Sequence, residues 1–272
     1  MVLGPRTLVM GVLNLTPDSF SDGGLSRDAA RAIDVAQEME SAGADLIDVG
    51  AESTRPGATP VAAEEEIARL RPVLKTLSQR LRVPLSIDTY KAETAAFALD
   101  QGAAIVNDIS GLEYDPALGP VVASRGAPVV LMHTRGRPED MYARASYHDV
   151  VAEVAQELNT RIAHAIECGI SREQIVLDPG LGFGKRAEQS LKLLAGLHEI
   201  AALGRPLLVG ASRKSFMNAA TGPLEPGARD WPSTAAVTAA VFSGAHIVRV
   251  HRVAEMVQVV RVADAIRDAA AR

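Results

Sequence analysis

Eight short apolar runs in the sequence end in, or are followed at once by, polar side chains that can do chemistry. A single Asp or Asn at such a place is commonly a turn former or a helix cap. Eight together favour a functional site, because burying carboxylates costs several kcal/mol each unless they meet partners. These side chains are Asn14, Asp48, Asp88, Asn107 with Asp108, His133, Asp178, Ser212 with Lys214, and Arg249 with His251.

The collection contains both signs of charge. Carboxylates supply acceptors for a ligand with paired N–H donors, such as the edge of a guanidine-like heterocycle, whereas cations suit phosphate oxygens. Because the chain is acidic, with a formal net charge of −5, cations gathered at one place indicate a phosphorylated ligand. The carboxylates are Asp48, Asp88 and Asp178, and the cations are Arg55, Arg213, Lys214, Arg249 and His251.

The elements that must position these residues are predicted from the runs themselves. Each run is four to eight residues long, unalternating and rich in Val, Ile and Leu, as in strands buried on both faces of a parallel sheet. Segments with helical periodicity separate them, most clearly over 150–168. The predicted strands cover residues 7–14, 44–50, 83–88, 103–108, 127–133, 174–178, 205–212 and 245–251.

Eight alternations of strand and helix predict an α/β fold, the (β/α)8 TIM barrel, in which all strand ends with polar residues meet on one face. A doubly wound sheet is the alternative, but no GxGxxG follows the first strand. Since no Pro/Ser-rich linker interrupts the chain, we expect residues 1–272 to form a single domain.

Composition excludes several classes of protein. The net charge of −5 argues against a nucleic-acid partner or an anionic membrane surface. Cys168 is the only cysteine, so neither a disulfide nor a cysteine zinc cluster is expected. Without a signal-peptide pattern or an apolar run near 18 residues, the sequence predicts a cytoplasmic protein.

Motifs for bound phosphate or metal are weak. The stretch DPGLGFGKR lacks the first glycine of a P-loop and the Ser or Thr after Lys185. No HExxH or comparable spacing indicates a permanent metal. A transient Mg²⁺, held by an oxygen ligand and the phosphates of a substrate, stays possible.

Eight ordered motifs resemble those of the dihydropteroate synthase family, from about Met10 to His251. That resemblance implies a barrel that condenses 6-hydroxymethyl-7,8-dihydropterin diphosphate with 4-aminobenzoate, giving dihydropteroate and pyrophosphate for folate synthesis. The motifs are LNLTPDSFSDGG, DVGAESTRPGA, SIDTYKAE, VNDISG, MHTRGRPEDM, DPGLGFGK, GASRKSF and RVH.

Site roles follow from the resemblance, motif by motif. The catalytic roles fall to Asp22, Asp178 and Lys214, and Asp48 would order the pocket floor. Asn14, Arg249 and His251 would grip the diphosphate, with Asn14 also supplying an oxygen to Mg²⁺. The pterin would be held by Asp88, Asn107, Asp178 and Lys214. The aminobenzoate pocket and its closing loops would be formed by Phe20, Ser21, Asp22, Thr54, Arg55, Pro56, Phe183, Ser212 and Arg213.

The implied chemistry is early loss of pyrophosphate from the pterin methylene, leaving a resonance-stabilised cation that the aromatic amine attacks. The loop that begins with TPDSFSDGG runs about a dozen residues before Ser26 caps the next helix, longer than a plain strand-to-helix loop. Proline and paired glycines are typical of a mobile lid. We therefore expect high mobility at 16–24 without substrates, and Asp22 to arrive on closure.

Some residues depart from those more frequent in the family, and Arg135 among them is expected to add an anion contact. Family members are generally homodimers, and the small-residue stretch 233–245 fits either a dimer face or a core-facing helix. The departures are Ala51, Tyr90, Ala92, Thr134, Arg135 and Arg252.

Three other functions are weighed against this one. A pterin-binding methyltransferase of the same superfamily would share the pterin ligands without needing the closing loops. A catalytically inactive paralogue would bind pterin only. A Schiff-base aldolase would use Lys214, but flanking Arg213 and the lack of an apolar surround make Lys214 a permanent cation instead.

Overall fold

The computed structural model describes residues 3–16, 25–55 and 57–270, with only the backbone of 25–27. Its strands each lie inside one of the eight apolar runs predicted from the sequence. They are β1 Leu8–Asn14, β2 Leu46–Gly50, β3 Leu85–Asp88, β4 Ile105–Asp108, β5 Val129–Met132, β6 Ile175–Asp178, β7 Leu208–Val209 and β8 Ile247–Val250.

Helices fill the intervals between the strands. The helix predicted over 150–168 begins at Val150, where the carboxylate of the preceding Asp149 accepts a hydrogen bond from the Val151 N–H (3.1 Å). The helices are α1 Leu25–Ser41, α2 Ala63–Arg80, α3 Ala92–Asp100, α4 Leu118–Ser124, α5 Val150–Glu167, α6 Ala187–Ala195, α7 Leu197–Ala201, α8 Asn218–Thr221, α9 Asp230–Phe242 and α10 Val253–Ala270. Short 3-10 turns lie at Arg172–Gln174, Ser215–Met217 and Pro226–Arg229.

All pairings between neighbouring strands are parallel, in the order β6-β5-β4-β3-β2-β1-β8-β7. A bridge between Leu177 and Leu207 joins β6 to the start of β7, and the Leu177 N–H donates to the carbonyl of Pro206 (2.9 Å). These contacts close the sheet on itself, so the predicted (β/α)8 barrel is confirmed and the doubly wound alternative is wrong.

Alternation along the strands sorts their side chains into two cores. Residues such as Ile47, Val49 and Leu177 point outward into the main core against the helices. Those between them point inward and fill the amino-terminal end of the barrel as an apolar layer. This layer consists of Leu8, Met10, Leu46, Ile105, Val130, Val176, Leu208 and Ile247.

Two residues further along the same strands, the inward positions reach the carboxyl-terminal end, called here the barrel mouth. There Leu46 is followed by Asp48, Ile105 by Asn107, and Ile247 by Arg249. Because the strand period is two, the polar residues predicted at these strand ends share one cavity.

None of the helices in the described ranges combines the length and hydropathy that a membrane crossing requires. Cys168, at the end of α5, is a free thiol and half-buried.

Candidate active site

An arginine between two carboxylates forms the floor of the barrel mouth. Arg249 Nε donates to Asp48 Oδ2 (2.6 Å) and Arg249 Nη2 donates to Asp88 Oδ2 (2.7 Å). Asn107 Nδ2 also donates to Asp48 Oδ2 (3.0 Å). These contacts agree with the predicted role of Asp48 in ordering the floor, and they bring together residues from β2, β3, β4 and β8.

The floor retains acceptor capacity for a ligand. Asp48 Oδ1 is buried and has no hydrogen-bond partner within the described residues. Burial raises the pKa of Asp88 to about 7; Asp48 adds to this effect, while Arg249 opposes it. A buried oxygen without a donor is costly, so the floor is suited to a ligand that brings N–H groups.

Asp178 and Lys214, which have opposite charges, lie on the other side of the mouth, and each shifts the pKa of the other. Burial raises the pKa of Asp178, although the Gly180 N–H, 2.7 Å from Oδ1, and the charge of Lys214 favour the carboxylate. Burial lowers the pKa of Lys214 to about 8, and Arg249 acts in the same direction. Lys214 Nζ lies 3.7 Å from the ring centroid of Phe183. The expectation that Lys214 lacks apolar surroundings is therefore wrong, because an aromatic ring covers the amine, whereas a pKa of about 8 leaves it a cation at pH 7.

An apolar wall stands beside these charges, and the sequence reasoning missed most of it. Tyr90, Ile109 and Met132 form a small buried cluster, against which Phe183 and Tyr114 pack. The rings of Tyr90 and Tyr114 meet edge to face, with centroids 5.2 Å apart. The signal for Met132 was available, since it lies two positions after inward-facing Val130. A flat apolar wall next to hydrogen-bonding groups suits a planar heterocycle.

Ser212 and His251 lie together at the ends of β7 and β8. Ser212 Oγ is 3.0 Å from His251 Nδ1. Burial lowers the pKa of His251 to about 4, assisted by Arg249 and Arg213. His251 is thus neutral at pH 7, and the expectation that it adds a positive charge is wrong; it offers a neutral imidazole for hydrogen bonding.

Two arginines expected at the anion site are paired with carboxylates of neighbouring helices. Arg213, with φ of 60°, forms a bidentate pair with Asp230 at the start of α9 (2.6 and 2.9 Å). Arg135 pairs with Glu153 (2.8 Å) and Glu157 on α5. The prediction that Arg135 adds an anion contact is not supported by this orientation, because alternation after β5 turns it toward the helices.

Asp108 and His133 also point away from the mouth, although Asp108 ends β4 and His133 directly follows β5. Asp108 accepts from the backbone N–H groups of Ser110 (2.7 Å) and Leu112 (2.6 Å), as a turn former. His133 contacts Glu157 and Lys185 instead. For these two residues the local role, not the site, explains the polar side chain.

The loop after β2 carries two predicted aminobenzoate residues, half-buried Thr54 and exposed Arg55. Its base is fixed by Glu52, which accepts from the hydroxyl of Tyr90 (2.9 Å) and pairs with Lys91. Tyr90, which departs from the residue frequent in the family, therefore links this loop to the apolar wall.

Phe20, Asp22 and Pro56 lie outside the described residues, as do the loop positions 17–24 on which the mobility prediction rests. Asn14 ends β1 with a half-buried side chain. No group of three or more His, Cys, Asp or Glu side chains able to hold a metal occurs within 3–16, 25–55 and 57–270.

The profile of the family described as pterin binding enzyme matches residues 10–251. The dihydropteroate synthase of Synechocystis sp. is 47% identical over 263 residues, which cover 97% of this chain and 91% of that protein. The chain belongs to the dihydropteroate synthase family of pterin-binding enzymes.

Solved structures of dihydropteroate synthases are also similar. The Xanthomonas albilineans enzyme with 4-aminobenzoic acid superposes with a TM-score of 0.90 at 42% identity, covering 97% of this chain and 94% of that one. The same organism's enzyme in complex with 7,8-dihydropteroate gives a TM-score of 0.87 at 39% identity, with coverages of 97% and 94%.

Proposed function

We propose that this transferase condenses 6-hydroxymethyl-7,8-dihydropterin diphosphate with 4-aminobenzoate to form dihydropteroate and pyrophosphate. The observation that carries the proposal is the floor of the mouth, where Asp48, Asp88 and Asn107 lie within hydrogen-bond reach of one another or of Arg249. Asp178 and the apolar wall complete a cavity for a flat, donor-rich ring. Membership of the dihydropteroate synthase family supports the assignment.

The pterin ring binds deep in the mouth in this proposal. Asp178 accepts from its amino-pyrimidine edge, and Asp88 and Asn107 contact the far edge. Lys214 and Phe183 cover the exposed face as a stacked pair. The ring's N–H donors suit a mouth rich in acceptor oxygens, where Asp48 Oδ1 is buried without a hydrogen-bond partner among the described residues.

The diphosphate lies on the side of the mouth formed by β1 and β8, next to Asn14, Arg249 and His251. A guanidinium has five N–H donors, and the contacts of Arg249 with Asp48 and Asp88 use two of its nitrogens. Arg249 therefore keeps donors for an anion while the carboxylates hold it in place. Neutral His251 donates one N–H without adding charge.

Aminobenzoate binds between the loops, against Phe183 and Ser212, with Thr54 and Arg55 on the β2 side and Phe20 and Pro56 closing the pocket.

The carbon–oxygen bond to the diphosphate breaks first and leaves a pterin cation. The aromatic amine attacks that carbon and loses a proton. Asp22 and Asp178 stabilise the cation by charge, so no side-chain nucleophile takes part.

Magnesium is the proposed metal, with the side-chain oxygen of Asn14 as its protein ligand. Mg²⁺ commonly keeps several waters and binds through one or two protein oxygens plus substrate phosphates. The side-chain oxygen of half-buried Asn14, at the end of β1, fits that pattern. When bound, the ion supplies charge neutralisation of the departing diphosphate.

A direct assay tests the function. Purified protein with Mg²⁺, dihydropterin diphosphate and labelled 4-aminobenzoate should form labelled dihydropteroate and release pyrophosphate in equal amounts. Pterin binding without either product would identify an inactive paralogue. Methyl transfer from methyltetrahydrofolate to a corrinoid protein would identify the methyltransferase alternative.

We also propose that the protein is a cytoplasmic homodimer. Within 233–245, Ala236, Val237 and Ala240 are buried in the chain's own core, so this stretch is a core-facing helix in the main. Exposed apolar side chains remain beside it for a partner, namely Phe242, Val262 and Ile266. Sedimentation velocity should give twice the mass of one chain.

A further inference from the structure

Lys185 is a buried lysine whose contacts are unusual for its charge. Its side chain is 1% exposed, and within the described part of the chain it has no carboxylate partner. Nζ instead lies within hydrogen-bond distance of four atoms, more than its three protons can serve at once, namely His133 Nδ1 (2.9 Å) and the carbonyl oxygens of Phe183 (2.9 Å), Gly180 (3.0 Å) and His133 (3.1 Å). The amine thus sits in a cage formed by its own loop and the end of β5.

The imidazole of His133 connects this cage to α5. His133 Nε2 is 2.9 Å from Glu157 Oε2. Burial opposes ionisation of Glu157, but hydrogen bonds from His133 and Arg135 lower its pKa to about 2. The carboxylate therefore accepts from Nε2–H, which assigns Nδ1 as the acceptor for Lys185. Burial and the charge of Lys185 lower the pKa of His133 well below its usual range, so the ring stays neutral.

The loop 180–184 has no room to relax around the cage. A Cβ at Gly180 would lie 2.0 Å from the His133 carbonyl oxygen, and one at Gly184 would lie 2.8 Å from the Arg135 N. Both glycines have positive φ, 68° and 56°. The backbone is pressed against 133–135, and Lys185 pulls two of its carbonyls inward.

Phe183 is the side chain that this loop presents to the mouth. Its N–H donates to the Gly180 carbonyl (3.0 Å), the same oxygen that accepts from Lys185. Its ring packs on the Tyr90, Ile109 and Met132 cluster, with Lys214 Nζ 3.7 Å from its centroid. A change in the backbone at 180–183 must therefore move the ring that covers Lys214.

We propose that Lys185 is a positioning residue for the condensation, which acts by fixing Phe183, and with it the face of the pocket that receives 4-aminobenzoate. The role in catalysis rests on the proposed function, whereas the role in ordering the loop does not. Lys185 itself points away from the mouth and touches no proposed substrate contact other than the Phe183 backbone.

The test compares Lys185→Met, which keeps the length of the side chain but removes its donors, with the unmodified protein. The kcat/KM for 4-aminobenzoate should fall by about 10- to 100-fold, the range for misplacing a reacting group by about an ångström. The Kd for dihydropterin diphosphate should rise by less than kcat/KM falls, because Asp88 and Asn107 lie on β3 and β4, outside the cage, and only Asp178 and Phe183 among the proposed pterin contacts are bonded to it.

A double-mutant cycle with Phe183→Leu separates positioning from general damage. If Lys185 acts through the Phe183 ring, Lys185→Met should change kcat/KM by no more than about threefold once that ring is absent. Independent, multiplicative losses would overturn the proposal. Lys192→Met, on the exposed face of α6, is the matched control and should leave both constants unchanged.

Hydrogen exchange over 180–184 gives a readout that does not need turnover. Exchange should rise at least about tenfold in Lys185→Met and stay unchanged in Lys192→Met, because the carbonyl cage holds that loop closed. If hydrogen exchange over 180–184 is unchanged in Lys185→Met, the inference is wrong even if the unmodified enzyme is active. If the unmodified protein forms no dihydropteroate, only the proposed function is wrong. If Lys185→Met and the donor-retaining Lys185→Gln both fail to fold, Lys185 serves stability alone and the proposal is wrong.

Discussion

The two ends of the barrel use the same strands for opposite purposes. At the amino-terminal end, Leu46 and Ile247 belong to a closed apolar layer. Two residues further along the same strands, Asp48 and Arg249 form an ion pair of 2.6 Å at the mouth. Both sets point inward and both are largely buried, so the difference lies in the side chains alone.

This contrast separates stability from function along each strand. The apolar layer gains free energy by burial and needs no partner of defined geometry. At the mouth, burial of charge is offset where Arg249 meets Asp48 and Asp88, and Asp48 Oδ1 still lacks a donor among the described residues. A substitution should therefore act on folding at one end and on binding or protonation at the other.

Among the variants that test this difference between the two ends, Leu46→Asp should have the largest effect. Leu46 is fully buried, and a carboxylate there would have no arginine beside it. The free energy of unfolding should fall by on the order of 5 kcal/mol, the cost of burying an unpaired ion. Urea denaturation of Leu46→Asp and Leu46→Asn measures this, and equal loss for the two variants would show that charge is not the cause.

Arg249→Ala tests the same cost, that of a buried charge without a partner, at the mouth. It leaves Asp48 and Asp88 buried without their cation, so stability at pH 7 should fall by about 3 to 5 kcal/mol. The loss should shrink at pH 5, where Asp88 is protonated. Calorimetric binding should show dihydropterin diphosphate weakened much more than free hydroxymethylpterin. Arg252→Ala, whose pair with Glu255 is exposed, is the control.

Asp178→Asn should change binding and spare folding. Loss of the charged acceptor should weaken pterin binding by about 2 to 5 kcal/mol, while stability holds or rises, since burial disfavours this carboxylate. Isothermal titration calorimetry with the pterin measures the loss of affinity. Asp264→Asn is a matched control, because Asp264 is buried at the opposite end, where it accepts from Thr7 (2.8 and 2.9 Å). Equal pterin affinity of Asp178→Asn and the parent would contradict the assignment.

Lys214 should give the mouth a pH dependence that the apolar layer lacks. Its ammonium is lost as pH rises through its pKa of about 8, so kcat/KM should fall by about tenfold per unit above that value. The free energy of unfolding should instead rise with pH between the pKa of about 8 in the folded protein and the ordinary pKa of 10.5. In that pH range the unfolded chain still binds the proton of Lys214, whereas the folded chain has lost it. In Lys214→Arg the fall in kcat/KM above pH 8 should disappear, because arginine keeps its proton there. If the fall persists, another group causes it.

Leu46→Met should have the smallest effect. A volume-conserving apolar exchange usually costs less than about 1.5 kcal/mol, and neither kcat nor either KM should change. Together with Leu46→Asp it tests whether the amino-terminal end depends on apolar volume alone. A kinetic effect of Leu46→Met would mean that the two ends are coupled.

Much of this architecture was predictable because it depends on local periodicity. Each predicted strand contains an observed one, and period-two alternation places Asp48, Asn107, Asp178 and Arg249 at the mouth. The same rule, applied one residue further, would have turned Asp108 and His133 outward. Met132 was missed because its type does not distinguish it from the other residues of an apolar run, although its spacing from Val130 places it at the mouth.

The sequence by itself determined the barrel, its family and the position of polar side chains at the strand ends, since these follow from patterns within a few residues. Only the tertiary structure decided the charges. Arg249 finds Asp48 across 201 positions of sequence, Arg213 turns to Asp230, and burial makes His251 neutral. Pairing and desolvation depend on which groups meet in space, and no spacing along the chain records that.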